Sequence, residues 1–365
     1  MNNDIYKLAL AGVQQLIPYK AGKPIEELER ELGLSNIIKL ASNENPLGAS
    51  KKALIAIQNN LASLALYPDG SGYRLKQALA EKHNINAEQI TLGNGSNELL
   101  ELIARAFLTS EHEVIFSQHA FAVYPLVTQA VGATAVVIPA INYGHDLNAM
   151  LNAVNDKTRL VFIANPNNPT GTLLPQSAIE NFIKALPKTV LCVLDEAYFE
   201  FVNVDNRVNS LDWLKSYSNL IITRTFSKAY GLAGLRIGYS FSSMEIADIL
   251  NRVRQPFNNN SLALVAAEAA LNDHEHLMNT VENNRLGMMQ LTEGFKTLGL
   301  DWIESAGNFV SVNCQQAGLP LYDKLLHKGV IVRPVGVYEM PEFLRISIGT
   351  EKENEFFLKA FSEVL

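Results

Sequence analysis

Residues 220–239 read "LIITRTFSKAYGLAGLRIGY". The opening "LIITR" is an apolar, β-prone run. Just beyond it come Ser227 and Lys228, and then Gly231, Gly234, Arg236 and Gly238. A lysine that only meets solvent needs no such setting. One that uses its amine covalently, beside a hydroxyl and a guanidinium able to hold a phosphate, needs much of it.

Upstream the same kind of run recurs: "EVIFS" (113–117), "ATAVVIP" (133–139), "RLVFIA" (159–164) and "VLCVLDE" (190–196), separated by helical or loop segments. Continuous apolar runs, without alternation, predict strands covered on both faces, as in a mostly parallel α/β sheet. "NELLELIARAFL" (97–108) reads as a helix opening after "GNGS", with Ser96 as its N-cap. Residues 1–40 read as an N-terminal arm joined to part of a small lobe, with helical periodicity in "KPIEELERELGL" after Pro24. Residues 41–260 form the large domain. A long helical tract from Ser261 then leads to "GNFVSVN", "GVIVRP", "LRISIG" and a closing helix "NEFFLKAFSEVL". That pattern predicts a smaller α+β domain over 261–365.

Bulk composition narrows the class. The chain has 365 residues, 48% hydrophobic and 18% charged, with a formal net charge of -7. A dedicated nucleic-acid binder would carry a basic face, so none is expected here. No stretch approaches the roughly 18 apolar residues of a membrane span, and the start "MNNDIYKLAL" lacks the pattern of a secretory signal. Two cysteines, Cys192 and Cys314, imply no disulfide framework, which fits a reducing, cytoplasmic setting. The seven histidines show no zinc-ligand spacing, and "HEH" at 274–276 sits in a polar helical stretch, so no metal is expected.

Four features fall at the ends of predicted strands, where open α/β sheets place their sites. "LGNGSNE" (92–98) offers tight turns and helix-start amides for a phosphate, though a plain Gly-rich turn explains it equally well. "NPNNPTG" (165–171) is a sharp loop presenting Asn168. "VLDEAY" ends an apolar run with Asp195, a carboxylate that is costly to bury unless paired. A protonated ring nitrogen is a suitable partner, and an ordinary helix cap is the plainer one. With Lys228, Ser227 and Arg236, this is the set a pyridoxal phosphate site requires.

In that order and spacing, "ASNENPLG", "YPDGSGYRLKQALA", "NPNNPTG", "DEAY" and "TFSKAYGLAGLRIGY" resemble the fold-type I, class II pyridoxal-phosphate-dependent aminotransferases. Within them the likeness is to the branch acting on histidinol phosphate. The resemblance implies a large domain with a mostly parallel seven-stranded sheet between helices. It implies that Lys228 binds pyridoxal 5'-phosphate and shuttles the proton, and that Asp195 pairs with the pyridine nitrogen. Asn168 and Tyr198 would bond the phenolic oxygen, and Tyr124 would stack on the ring. Gly95, Ser96, Asn97, Ser227 and Arg236 would surround the phosphate, joined by Tyr67 from the second subunit of a homodimer. Arg345 would meet the substrate phosphate, near Tyr19, Asn43 and an Arg333 supplied by the partner chain. The implied reaction exchanges an amino group between histidinol phosphate and 2-oxoglutarate, in histidine biosynthesis.

One segment departs from that pattern. Residues 336–339 read "GVYE" where the subgroup more often reads Ala-Gly-Tyr-Gly, so Glu339 brings a negative charge near Arg345 in sequence. Three rival readings share the framework: an aromatic amino acid aminotransferase, a decarboxylase of a phosphorylated amino acid, and a non-catalytic regulator that binds the cofactor.

Overall fold

The computed structural model describes residues 5–18 and 22–365. Seven strands form its central sheet in the order Ile90–Gly93, Gly238–Phe241, Leu220–Thr225, Leu191–Asp195, Thr158–Ala164, Glu113–Ser117 and Thr134–Ile138. Gly238–Phe241 runs antiparallel to both neighbours, and the other pairings are parallel. Cys192, Leu194 and Ile222 join one apolar cluster, whereas Leu191, Val193 and Ile221 join another. Successive side chains of a strand point to opposite faces, so both faces of this sheet are dry. That is why the runs show no polar alternation.

The topology gathers the site. Four strands running the same way end just before Asn94, Gln118, Asn165 and Glu196, and Leu220–Thr225 ends two residues before Ser227, which Lys228 follows. The antiparallel strand begins at Gly238, level with both Thr225 and Gly93, so Arg236 enters at the edge where the parallel strands finish. A Cβ on Gly238 would lie 2.5 Å from the Ser96 backbone nitrogen. Only glycine allows that approach. The helix beyond is Ser96–Phe107, with Gly95 at φ +81° as its cap; the expected N-cap, Ser96, is instead its first helical residue.

The smaller lobe carries an antiparallel sheet ordered Arg333–Pro334, Phe343–Ser347, Phe309–Asn313 and Trp302–Ile303. The arm helix Ile25–Leu32 starts after Pro24, stops at left-handed Gly33, and buries Leu28 beside Ala41 and Ile331. Ile38–Lys39 pairs in parallel with Val330–Ile331, tying the arm to this lobe. One expected boundary shifts. Helix Ser261–Leu271 buries Ala263, Ala266, Ala267 and Ala270 in the same cluster as Leu75, Leu79 and Ile222, so it belongs to the large lobe. Its alanines let it lie close to its neighbours, and the small lobe takes over near Asp273, which caps helix His274–Thr297.

Beneath the site edge, Arg224 Nε donates to Glu196 Oε2 at 2.8 Å, and its Nη2 lies 2.7 Å from the same oxygen. Its guanidinium stacks 3.6 Å from the Phe199 ring centroid. Both charges are buried, so deleting one strands the other. Arg224→Ala is expected to lower stability by about 3–5 kcal/mol, read from urea unfolding. An unchanged midpoint would show that Glu196 finds another partner.

Candidate active site

Asp195 forms the floor. Its Oδ2 accepts from the Tyr124 hydroxyl at 2.9 Å and its Oδ1 from Thr223 Oγ1 at 3.0 Å. Burial pushes its carboxyl above the usual range, while those two hydrogen bonds and the Ala197 amide pull it back. A carboxylate so held is oriented before any partner arrives. A cationic ring nitrogen is what such a group binds well.

Lys228 lines the same cavity and donates from Nζ to the Ser42 carbonyl at 2.8 Å. Burial lowers its pKa to about 7, and the Arg345 and Arg236 charges push the same way against Glu44. A lysine in bulk water is neutral in fewer than about one molecule per thousand at pH 7. Here a large share is neutral and able to attack a carbonyl.

At one end, Ser96, Asn97, Ser227 and Arg236 line the wall together. Arg236 Nη1 donates to Ser227 Oγ at 3.3 Å, and Thr225 Oγ1 donates to the same oxygen at 3.0 Å. Arg236 itself is left-handed at φ +55°, which turns its side chain back over Gly95; a Cβ on Gly95 would run into that guanidinium. Helix-start amides, two hydroxyls and a guanidinium make a phosphate cradle.

At the other end, Arg333 and Arg345 sit opposite each other on paired antiparallel strands, and both line the cavity. Like charges facing across a pair are unfavourable without an anion between them. Arg345 donates from Nη1 to Asn168 Oδ1 at 2.6 Å and from Nη2 to the Ala41 carbonyl at 2.7 Å. Asn168 Nδ2 in turn donates to the Tyr198 hydroxyl at 3.1 Å, and Asn43 Nδ2 does so at 2.9 Å. Burial lifts that phenol to about 12, so it stays protonated, with its own hydrogen available to a ligand.

Most of the expected residues therefore meet in one cavity, and three are placed differently. Tyr124 does not face the ring site: it is fully buried, stacked 4.5 Å from Phe162 and engaged with Asp195. Phe121, in the loop just before that residue's helix, lines the cavity instead. Arg333, expected from the partner chain, lines the cavity of its own chain. Tyr67 is 83% exposed and stacks on Phe257, outside that cavity. Tyr19 lies outside the described residues. Glu339 is exposed and accepts a hydrogen bond from Gln118.

Thr223, which bonds Asp195, and Phe121, which lines the cavity, are site positions that sequence reasoning missed. Thr223 carried a signal, a lone polar residue inside "LIITR". Phe121 carried little, since two aromatics three residues apart in "HAFAVYP" compete for one role. Among the described residues, no three His, Cys, Asp or Glu side chains gather as metal ligands, and no helix is long and apolar enough to cross a membrane.

A sheet edge bearing a lysine, an aspartate and a phosphate cradle defines an aminotransferase of the fold-type I class, and the comparisons agree. The model of the family "Aminotransferase class I and II" matches residues 35–361, and the chain belongs to that family. Within it the chain belongs with the histidinol-phosphate aminotransferases. It is 56% identical to histidinol-phosphate aminotransferase 1 of Idiomarina loihiensis, over 98% of each chain. It is also 56% identical to histidinol-phosphate aminotransferase 2 of Pseudomonas aeruginosa, covering 100% of this chain and 99% of that one. The crystal structure of histidinol-phosphate aminotransferase from Sinorhizobium meliloti, in complex with pyridoxal-5'-phosphate, superposes with a TM-score of 0.90 at 31% identity, over 97% and 96% of the two chains.

Proposed function

We propose that the chain transfers the amino group of L-histidinol phosphate to 2-oxoglutarate, giving imidazole-acetol phosphate and L-glutamate, in histidine biosynthesis. The observation that carries this is the pair Arg333 and Arg345, opposed across two strands in the cavity that also holds Lys228 and Asp195. Two guanidiniums suit a phosphate dianion better than a single carboxylate. The names of the relatives support the same reading.

The residues present fit pyridoxal phosphate: a cradle for its phosphate, a prepositioned carboxylate for its ring nitrogen, and a lysine between them. When bound, that cofactor supplies a carbonyl for the substrate's amine and a ring that accepts the electron pair of a breaking C–H bond. Asp195 would keep the ring nitrogen charged. Asn168 and Tyr198 would hold the ring through its phenolic oxygen, and Arg345, which fixes Asn168, would hold the substrate phosphate. Lys228, with Nζ neutral, would take the proton from the amine-bearing carbon of the substrate and hold it for return. The same residues run the second half in reverse with 2-oxoglutarate.

The working form is a cytoplasmic homodimer, in which Tyr67 of one subunit serves the phosphate cradle of the other. Tyr67 stands in an exposed apolar ridge with Leu61, Leu64 and Leu66, a surface suited to a second copy. Sedimentation should show a dimer, and a monomer at working concentration would remove Tyr67 from the site.

The reaction is tested by kcat/KM for histidinol phosphate, phenylalanine and tyrosine, with 2-oxoglutarate as acceptor. A preference of about a hundredfold for histidinol phosphate is expected, or ~2.7 kcal/mol of discrimination. Equal values would move the role to aromatic amino acids. No transamination of any would leave the decarboxylase reading.

A further inference from the structure

Glu339 is held in a conformation its side chain does not favour. Its φ is +61°, the left-handed region, at a cost of roughly 1 kcal/mol for a residue with a Cβ. It closes the short helical turn Gly336–Tyr338. That turn joins strand Arg333–Pro334 to strand Phe343–Ser347, so it sets how the two cavity arginines face each other.

Two consecutive residues of the large lobe hold this turn. Gln118 Oε1 accepts from the Ala140 amide at 3.2 Å, which fixes the side-chain orientation and aims its NH2 group outward. That group donates to the Glu339 carboxylate. One residue on, His119 Nδ1 donates to the Tyr338 carbonyl at 2.7 Å, in a buried contact. His119 is itself anchored, because its carbonyl accepts from Asn167 Nδ2 at 2.9 Å, next door to Asn168. Ala122 packs on the apolar cluster of Val335, Tyr338 and Phe343 just behind. Tyr338 lines the cavity beside Arg333.

We propose that Gln118 and Glu339, working with the His119–Tyr338 contact, clasp the two lobes at the cavity mouth and fix where Arg333 and Tyr338 meet the substrate phosphate. Glu339 is a positioning residue. The carboxylate is directed to Gln118 at an exposed position, where solvent screens its charge. This inference rests on the histidinol phosphate reading above.

The experiment is a double-mutant cycle on the full-length, cofactor-saturated enzyme. Glu339→Gly and Gln118→Ala should each raise KM for histidinol phosphate about fivefold, with kcat within about twofold, and the double variant should be no worse than either. Glu339→Gln keeps an acceptor for Gln118 and should restore KM to within about twofold of the parent. Thermal unfolding of Glu339→Gly should not be lowered, because glycine relieves the left-handed residue. A KM that falls in both Glu339 variants would show a repulsive charge and overturn the clasp. So would additive single effects, or an unchanged KM in Glu339→Gly. Failure of the parent enzyme to turn over histidinol phosphate would sink the underlying reading instead, and it is measured separately from every variant.

Discussion

Lys228→Ala is expected to abolish transamination, lowering kcat by ~10^4-fold or more. The change removes the covalent anchor and, among the described residues, the one lysine that lines the cavity with Asp195 and Arg345. Positioned proton transfer alone is worth about 10^2–10^4 in rate. Lys228→Arg makes the useful control. It keeps a cation near Ser42, yet a guanidinium stays charged at neutral pH and cannot take a carbon-bound proton. Both variants should lose turnover, and both should lose the absorbance of a lysine-bound cofactor. Normal turnover in purified Lys228→Ala would overturn the mechanism.

The same lysine leaves a mark on stability. Its pKa in the folded chain is lowered from 10.5 to about 7, chiefly by burial. Between those values the unfolded chain holds a proton that the folded chain has released. Stability of the cofactor-free protein therefore rises with pH across that window. Lys228→Ala removes this contribution, so the gain between pH 7 and pH 9 in urea unfolding should shrink. An equal gain in both proteins would mean that Lys228 keeps its proton when folded.

The large lobe was legible wherever one residue had to face both a dry sheet and a polar site. Asp195 ends five buried residues, and Lys228 follows six. Carboxylates and amines are rarely placed so without a partner, and that contradiction drew attention to them. Aromatic roles were less legible. Tyr124 lies in the first turn of the helix Val123–Ala130 and Phe121 in the loop just before it, and Phe162, from a strand about forty residues away, stacks on Tyr124 and leaves Phe121 to the cavity. The end of the large lobe was hidden for a related reason. The alanines of Ser261–Leu271 look like any helix, and only their close packing against the helix Lys51–Asn60 assigns them to a lobe. Nothing in "GVIVRP" reveals that its strand pairs in register with "FLRIS", which sets Arg333 opposite Arg345 within one chain.

That register underlies the second large effect. Arg345→Ala is expected to lower kcat/KM for histidinol phosphate by about 10^2–10^3-fold, since charge-assisted bonds to a dianion are worth roughly 1.5–3 kcal/mol each. The loss has two sources. The guanidinium that meets the phosphate is gone, and Asn168 loses the 2.6 Å bond that orients it toward Tyr198. Arg345→Lys separates them. It restores a charge for the phosphate but cannot donate to Asn168 and the Ala41 carbonyl together as the planar fork does. The lysine variant should therefore recover part of the binding, seen in KM, and little of kcat. Recovery of both would reduce Arg345 to a point charge. An unchanged kcat/KM in Arg345→Ala would remove it from the substrate site and leave Arg333 to bind the phosphate alone.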